Sequence, residues 1–174
     1  LLYGLMVPSG NDAAVAIACH ISGSVSDFAD LMNERAHEIG ATNSHFVNPH
    51  GLPDEDHYTT AYDMYLILNE AMKNPEFAQF ASVSEYTASV TGADGTVRSV
   101  TWTNGNGFLA GNFSLPDGVS MTAGKTGHTN AAGFCLVLAE ETHGGKDMIS
   151  VVFNAPTYED LYNGMRTLIT KGLI

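Results

Sequence analysis

Positive charge is what this chain has least of. Its 174 residues hold 7 Lys and Arg against 19 Asp and Glu, a formal charge of −12. So few cations cannot assemble an extended basic face, which excludes a nucleic-acid backbone as partner. Long apolar runs are missing too: the longest, Ala13 to Cys19, falls far short of the ~20 residues a bilayer span needs. No charged leader precedes a hydrophobic region, so membrane association is expected only through segments outside these residues. Cysteine is confined to Cys19 and Cys135, each in an apolar run. They could pair or stay free, a buried inert thiol being the commonest state of such a residue, and they leave the redox compartment open. Apolar residues are not scarce. At 44% hydrophobic and 15% charged, the composition suits one globular domain, or a domain with a small lobe, rather than a disordered acidic tail. The chain opens inside what reads as continuing structure, Leu1-Leu2-Tyr3-Gly4-Leu5-Met6 without an initiator Met, and an upstream piece is expected.

Residues 1–81 read as mostly helical. Asn11 to His20 is Ala-rich after the Pro8-Ser9-Gly10 turn, and Phe28, Leu31, Met32 and Ile39 share one face of a helix over Ser26 to Ile39 that Gly40 ends. A loop over Ala41 to Tyr58 carries Asn-Pro, Gly, Pro and an acidic cluster, and Thr60 with Asp63 starts a helix over Ala61 to Lys73 that Asn74-Pro75 closes. From about Ser82 the character changes. Val83 to Thr91 and Thr96 to Thr103 flank Gly92-Ala93-Asp94-Gly95 as a hairpin. Gly133 to Glu140 and Lys146 to Asn154 are apolar enough to be central strands, and Thr157 with Asp160 caps a last helix. Helices, then antiparallel hairpins, then a closing helix predict an α+β fold over 1–81 and 82–174.

Gly124-Lys125-Thr126-Gly127-His128 carries the strongest chemical signal. It sets one of only four lysines between two glycines, in a run of small residues leading into the strand at Gly133. A cation, a hydroxyl and exposed N–H groups together suit an anion. A nucleotide phosphate is excluded by spacing: five residues, not four, separate Gly118 from Gly124, and the context is not a strand-to-helix turn. The remaining anion is a substrate carboxylate beside an oxyanion. Lys-Thr-Gly is one of three signatures of serine acyl-transferases, the others being S-x-x-K and a Ser-x-Asn triplet. Ser9-Gly10-Asn11 supplies the triplet, upstream of Lys125 and in a turn before a helix. Alone, Ser9 and Asn11 would read as a turn and helix cap; beside Lys-Thr-Gly they read as a site.

With these motifs the chain resembles the low-molecular-weight penicillin-binding proteins that act as D-alanyl-D-alanine carboxypeptidases. The likeness extends to Pro8-Ser9-Gly10-Asn11-Asp12-Ala13-Ala14, Met32-Asn33, Asn48-Pro49-His50-Gly51-Leu52, Thr59-Thr60-Ala61-Tyr62-Asp63-Met64 and Gly124 to Thr129. It implies a β-lactamase/transpeptidase-like fold, incomplete at its N-terminal side. Reading three residues back from each Lys gives Glu70, Thr122, His143 and Leu168, so these residues contain no S-x-x-K. The chain is therefore expected to be the C-terminal part of a catalytic domain, without the family's C-terminal β-rich module, inactive alone and prone to self-association or to pairing with its missing N-terminal segment.

The resemblance implies an extracytoplasmic enzyme of bacterial peptidoglycan biosynthesis and cell shape, acting on stem peptides and acylated by β-lactams. Ser9 and Lys125 would relay a proton to the departing amine and Asn11 would hold the substrate amide. Lys125 and Thr126 would bind the terminal carboxylate, Gly127 would leave room for the peptide, and His128 would lend a backbone N–H to an oxyanion hole. No cofactor or metal is implied. His50 to His57 contains two His and three carboxylates, but its spacing matches no closed zinc pattern and a solvated loop is expected. Glu34, Arg35, Glu38, Tyr62 and Tyr65 read as helix surface and core, and Arg98 is a weaker candidate for the carboxylate. The alternatives are a class A β-lactamase-like hydrolase, disfavoured because it would carry Ser-Asp-Asn, and a non-catalytic peptidoglycan-binding module.

Overall fold

Short polar side chains set the helix starts. The computed structural model describes residues 1–174. Ser24 accepts the Asp27 N–H ahead of α3 (Val25–Glu38), Thr60 the Asp63 N–H ahead of α4 (Ala61–Ala71), and Thr157 the Asp160 N–H ahead of α6 (Tyr158–Gly172). Before these come α1 (Leu2–Met6) and α2 (Asn11–Ser22). Asn74-Pro75 does more than close α4. Asn74 accepts the Glu76 N–H and Pro75 takes the first helical position, so the pair opens a further helix, α5 (Pro75–Ala81), that the sequence reading treated as the end of one.

After Ala81 the chain turns to strands. β1 (Glu85–Thr91) and β2 (Val97–Thr103) form the expected antiparallel hairpin. β3 (Val119–Thr129), β4 (Gly133–Thr142) and β5 (Asp147–Ala155) form an antiparallel sheet in the order β3-β4-β5, which leaves the outer side of β3 free. β3 departs from the sequence expectation. Its small residues read as a Gly-rich stretch leading into the strand at Gly133, yet pairing with the apolar β4 holds them as strand, from Val119 opposite Thr142 to Thr129 opposite Gly133.

The three-stranded sheet is covered on both faces, and period-2 alternation decides what each face meets. Leu136 and Leu138 point one way and pack with Leu161, Tyr162, Met165 and Ile169 of α6. Ala123, Val137 and Ala139 point the other way and pack with Leu68 of α4 and Ala81 of α5. Lys125, opposite Val137, therefore leaves β3 on the face that meets α4 and α5 rather than α6.

Candidate functional site

Lys125 reaches from β3 to the turn before α2. Its Nζ donates to Ser9 Oγ at 2.7 Å and to the Thr126 carbonyl at 2.9 Å. Burial lowers its pKa to about 8. Ser9 sits at φ 57°, a left-handed conformation uncommon for a residue with a side chain. The turn is held by the Gly10 N–H, which donates to the Gly4 carbonyl at 3.0 Å. A Cβ on Gly10 would lie 2.8 Å from that same oxygen, so the turn requires glycine. Gly10, not Ser9 or Asn11, is the N-cap of α2, and no side chain caps that helix. Ser9 does sit in the turn, but neither Ser9 nor Asn11 caps the helix.

Ser9, Asn11, Lys125, Thr126, Gly127 and His128 all line one groove of about 650 Å³. Gly127 is open toward it: an added Cβ would meet only Cys135 Cβ, at an ordinary 4.0 Å. Gly124 answers to packing instead. A Cβ there would come within 2.5 Å of Leu138 Cδ2 and 3.1 Å of Asn106 Nδ2. Gly124→Ala is expected to push β3 off β4 and destabilise the fold by about 1–3 kcal/mol, read as a lowered urea midpoint, with Lys125 displaced from Ser9.

The wall facing β3 is the loop between α3 and α4, tied down by buried side chains. Asp63, fully buried, accepts the Asn43 N–H and the Ser44 hydroxyl at 2.7 Å each. Asn33 clasps Phe46 through both its amide atoms, and Asn48 bonds Gly51 and Leu52. Asn48, His50 and His57 line the groove from this side. The His57 imidazole pKa is lowered by burial and then by His50. The His rings bond their own loop backbone rather than converging on one point.

Behind β3 lies a polar layer that sequence reasoning missed. Asn104 Oδ1 accepts the Asn106 N–H, Asn106 Oδ1 accepts the Phe108 N–H, and the Tyr162 hydroxyl accepts the Gly107 N–H at 2.6 Å. Asn106 and Tyr162 are fully buried. The alternation of Asn and Gly over residues 104–107 was the available signal, since buried amides satisfy a backbone that passes close behind a strand. Glu140 was missed too. It is 1% exposed on β4, opposite Met121 and Met148, and neither carboxylate oxygen has a partner. Burial raises its pKa to about 8, an effect larger than the opposing pull of the neighbouring Ser150 side chain, which makes no hydrogen bond to either oxygen.

Two expectations fail. Arg98 is exposed on β2 opposite Val90, outside the groove, because the hairpin turns it to solvent. The cysteines are not buried: both are free, Cys19 is exposed on α2, and Cys135 is half-buried and lines the groove.

The chain is similar to known proteins over most of its length. The profile of the D-alanyl-D-alanine carboxypeptidase family matches residues 1–157. The D-alanyl-D-alanine carboxypeptidase DacA of Haemophilus influenzae is 37% identical over 157 residues, covering 90% of this chain and 36% of that protein. A D-alanyl-D-alanine carboxypeptidase of Streptomyces sp. strain K15 is 40% identical over 159 residues, covering 87% of this chain and 52% of its own length. The crystal structure of the Streptomyces K15 DD-transpeptidase superposes with a TM-score of 0.88 at 32% identity, over 98% of this chain and 65% of that one. The chain thus spans about half or less of these curated relatives. Its α+β fold is the transpeptidase-like one, and by sequence and structure alike it belongs to the D-alanyl-D-alanine carboxypeptidase family, peptidase S11.

Proposed function

We propose that the whole protein is a serine-type D-Ala-D-Ala carboxypeptidase of the bacterial cell envelope, working outside the cytoplasm on peptidoglycan stem peptides and acylated by β-lactams. The 174 residues are part of its catalytic domain, and the S-x-x-K nucleophile is supplied by polypeptide beyond them. The observation that carries this reading is the 2.7 Å contact between Lys125 Nζ and Ser9 Oγ, groups 116 residues apart in sequence and joined in one groove.

The nucleophilic serine gives up its hydroxyl proton as it adds to the carbonyl of the penultimate D-Ala, the C–N bond breaks, and the terminal D-Ala leaves as an amine that has gained one proton in exchange. Ser9 and Lys125 deliver that proton: a hydroxyl polarised by a cation with a pKa of about 8 exchanges protons readily near neutrality. Lys125 and Thr126 take the terminal carboxylate. Asn11 holds the substrate amide, and Gly127 admits the peptide against the free edge of β3. The His128 N–H joins that of the nucleophile at the oxyanion, worth ~3–4 kcal/mol per donor. Water then hydrolyses the ester and regenerates the serine.

The test is made on the full-length protein, incubated with a peptide ending in D-Ala-D-Ala and, separately, with a fluorescent penicillin. Release of free D-Ala and a covalent label on the protein are expected. A full-length protein that does neither would overturn the reading.

A further inference from the structure

Two histidines on the loop wall have a fixed tautomer. The Leu52 N–H donates to His50 Nδ1 at 3.3 Å, and the Val47 N–H donates to His57 Nδ1 at 3.1 Å. A backbone N–H can only donate, so Nδ1 is the bare nitrogen in both rings, and the single proton of the neutral imidazole sits on Nε2. His45 shows the opposite case: its Nδ1 lies 2.6 Å from the Asp56 carbonyl, which can only accept, so there Nδ1 carries the proton. Burial lowers the His57 pKa from its ordinary value and so favours the neutral ring that this bond requires. Both His50 and His57 line the same groove as Lys125 and both are half-buried. Each ring spends its acceptor on its own loop and retains one donor. Neither can act through Nε2 as a base, because that nitrogen already holds its proton.

We infer that His50 and His57 form a donor pair on the loop wall, each giving its Nε2–H to an acceptor oxygen of the bound peptide upstream of its two terminal residues. The identity of the ligand rests on the carboxypeptidase reading above. A groove of about 650 Å³ has room for more than two alanines, and the terminal pair is engaged by Lys125, Thr126 and the Ser9 turn. The residues before them are left to meet the facing wall. A neutral imidazole donor recognises a main-chain carbonyl or a side-chain carboxylate.

The experiment separates the two sides of each ring. Asn places an acceptor where Nδ1 stands and keeps the loop bond; Gln places an N–H where Nε2 stands and loses it. In the full-length protein, kcat/KM is measured for a D-Ala-D-Ala dipeptide and for a pentapeptide with the same end, once with its side-chain carboxylate free and once amidated. His50→Asn is expected to lower the pentapeptide-to-dipeptide ratio about fivefold, His50→Gln to hold it, and His50→Asn with His57→Asn to lower it about twentyfold. A larger loss for the free acid assigns the carboxylate as acceptor, and an equal loss assigns the carbonyl; either supports the pair. The reverse order of Asn and Gln, or a ratio that never moves, would show a purely structural role and overturn the proposal. So would nitrogen-resolved NMR placing the proton on Nδ1 of His50 or His57, whatever the activity. A protein that releases D-Ala from none of the peptides would sink the carboxypeptidase reading, and the proposal with it.

Discussion

Lys125→Ala, made in the full-length protein, is expected to lower kcat/KM for D-Ala release by about a hundred- to ten-thousand-fold. Two functions of the proposed chemistry depend on that one ammonium group. It polarises Ser9 through the 2.7 Å contact, it neutralises the terminal carboxylate, and it does both in a groove with no arginine in its lining. Lys125→Arg separates these functions. A guanidinium keeps the charge but stays protonated at every working pH, so KM should hold while kcat falls. Acidity gives an independent check. The folded-state pKa of about 8 means the cation is present below that pH and fades above it, so KM for the peptide should rise as pH passes through 8. Retention of more than about a tenth of the activity by Lys125→Ala would remove Lys125 from the proposed chemistry.

The largest stability effect is expected at Glu140, whose burial without a partner is a liability at neutral pH. In the unfolded chain this carboxyl ionises near its ordinary value of 4.5; in the folded protein it holds its proton to about 8. The folded state binds more protons between those values, so stability falls as pH rises from 4.5 to 8 and levels off above. The difference amounts to about 4 kcal/mol at pH 8. Glu140→Gln keeps the shape and removes the ionisation. Urea melts should find it close to wild type at pH 4, more stable by up to about 4 kcal/mol at pH 8, and without the alkaline decline between. A variant as pH-dependent as its parent would mean that Glu140 is solvated in the folded state.

Much of the architecture was legible along the chain. The capped starts at Thr60 and Thr157 fall where the polar residue three positions later indicates, and the change from helix to strand comes within three residues of Ser82, between Ala81 and Glu85. These features are local: a capping oxygen finds its N–H within one turn. β3 was not legible as a strand, because Ala123, Gly124 and Gly127 have no strand preference of their own. Leu136, Leu138 and Val137 on the neighbouring strand supply what they lack. Asn74-Pro75 was ambiguous for a related reason, since the same pair can end one helix and begin the next.

The site divides in the same way. The residue types, their order and the spacing of Ser9-Gly10-Asn11 and Lys125-Thr126-Gly127 are properties of the sequence, and with them the family. Their meeting is not. Only the packed fold decides that Lys125 leaves β3 away from α6 and toward the turn before α2, that burial lowers its pKa to about 8, and that Ser9 takes a left-handed conformation under its ammonium. The tautomers of His50 and His57 and the unpartnered state of Glu140 are of this second kind. The physical reason is range: a hydrogen-bond partner 116 residues away, or the removal of water from a charge, depends on what the rest of the chain brings alongside.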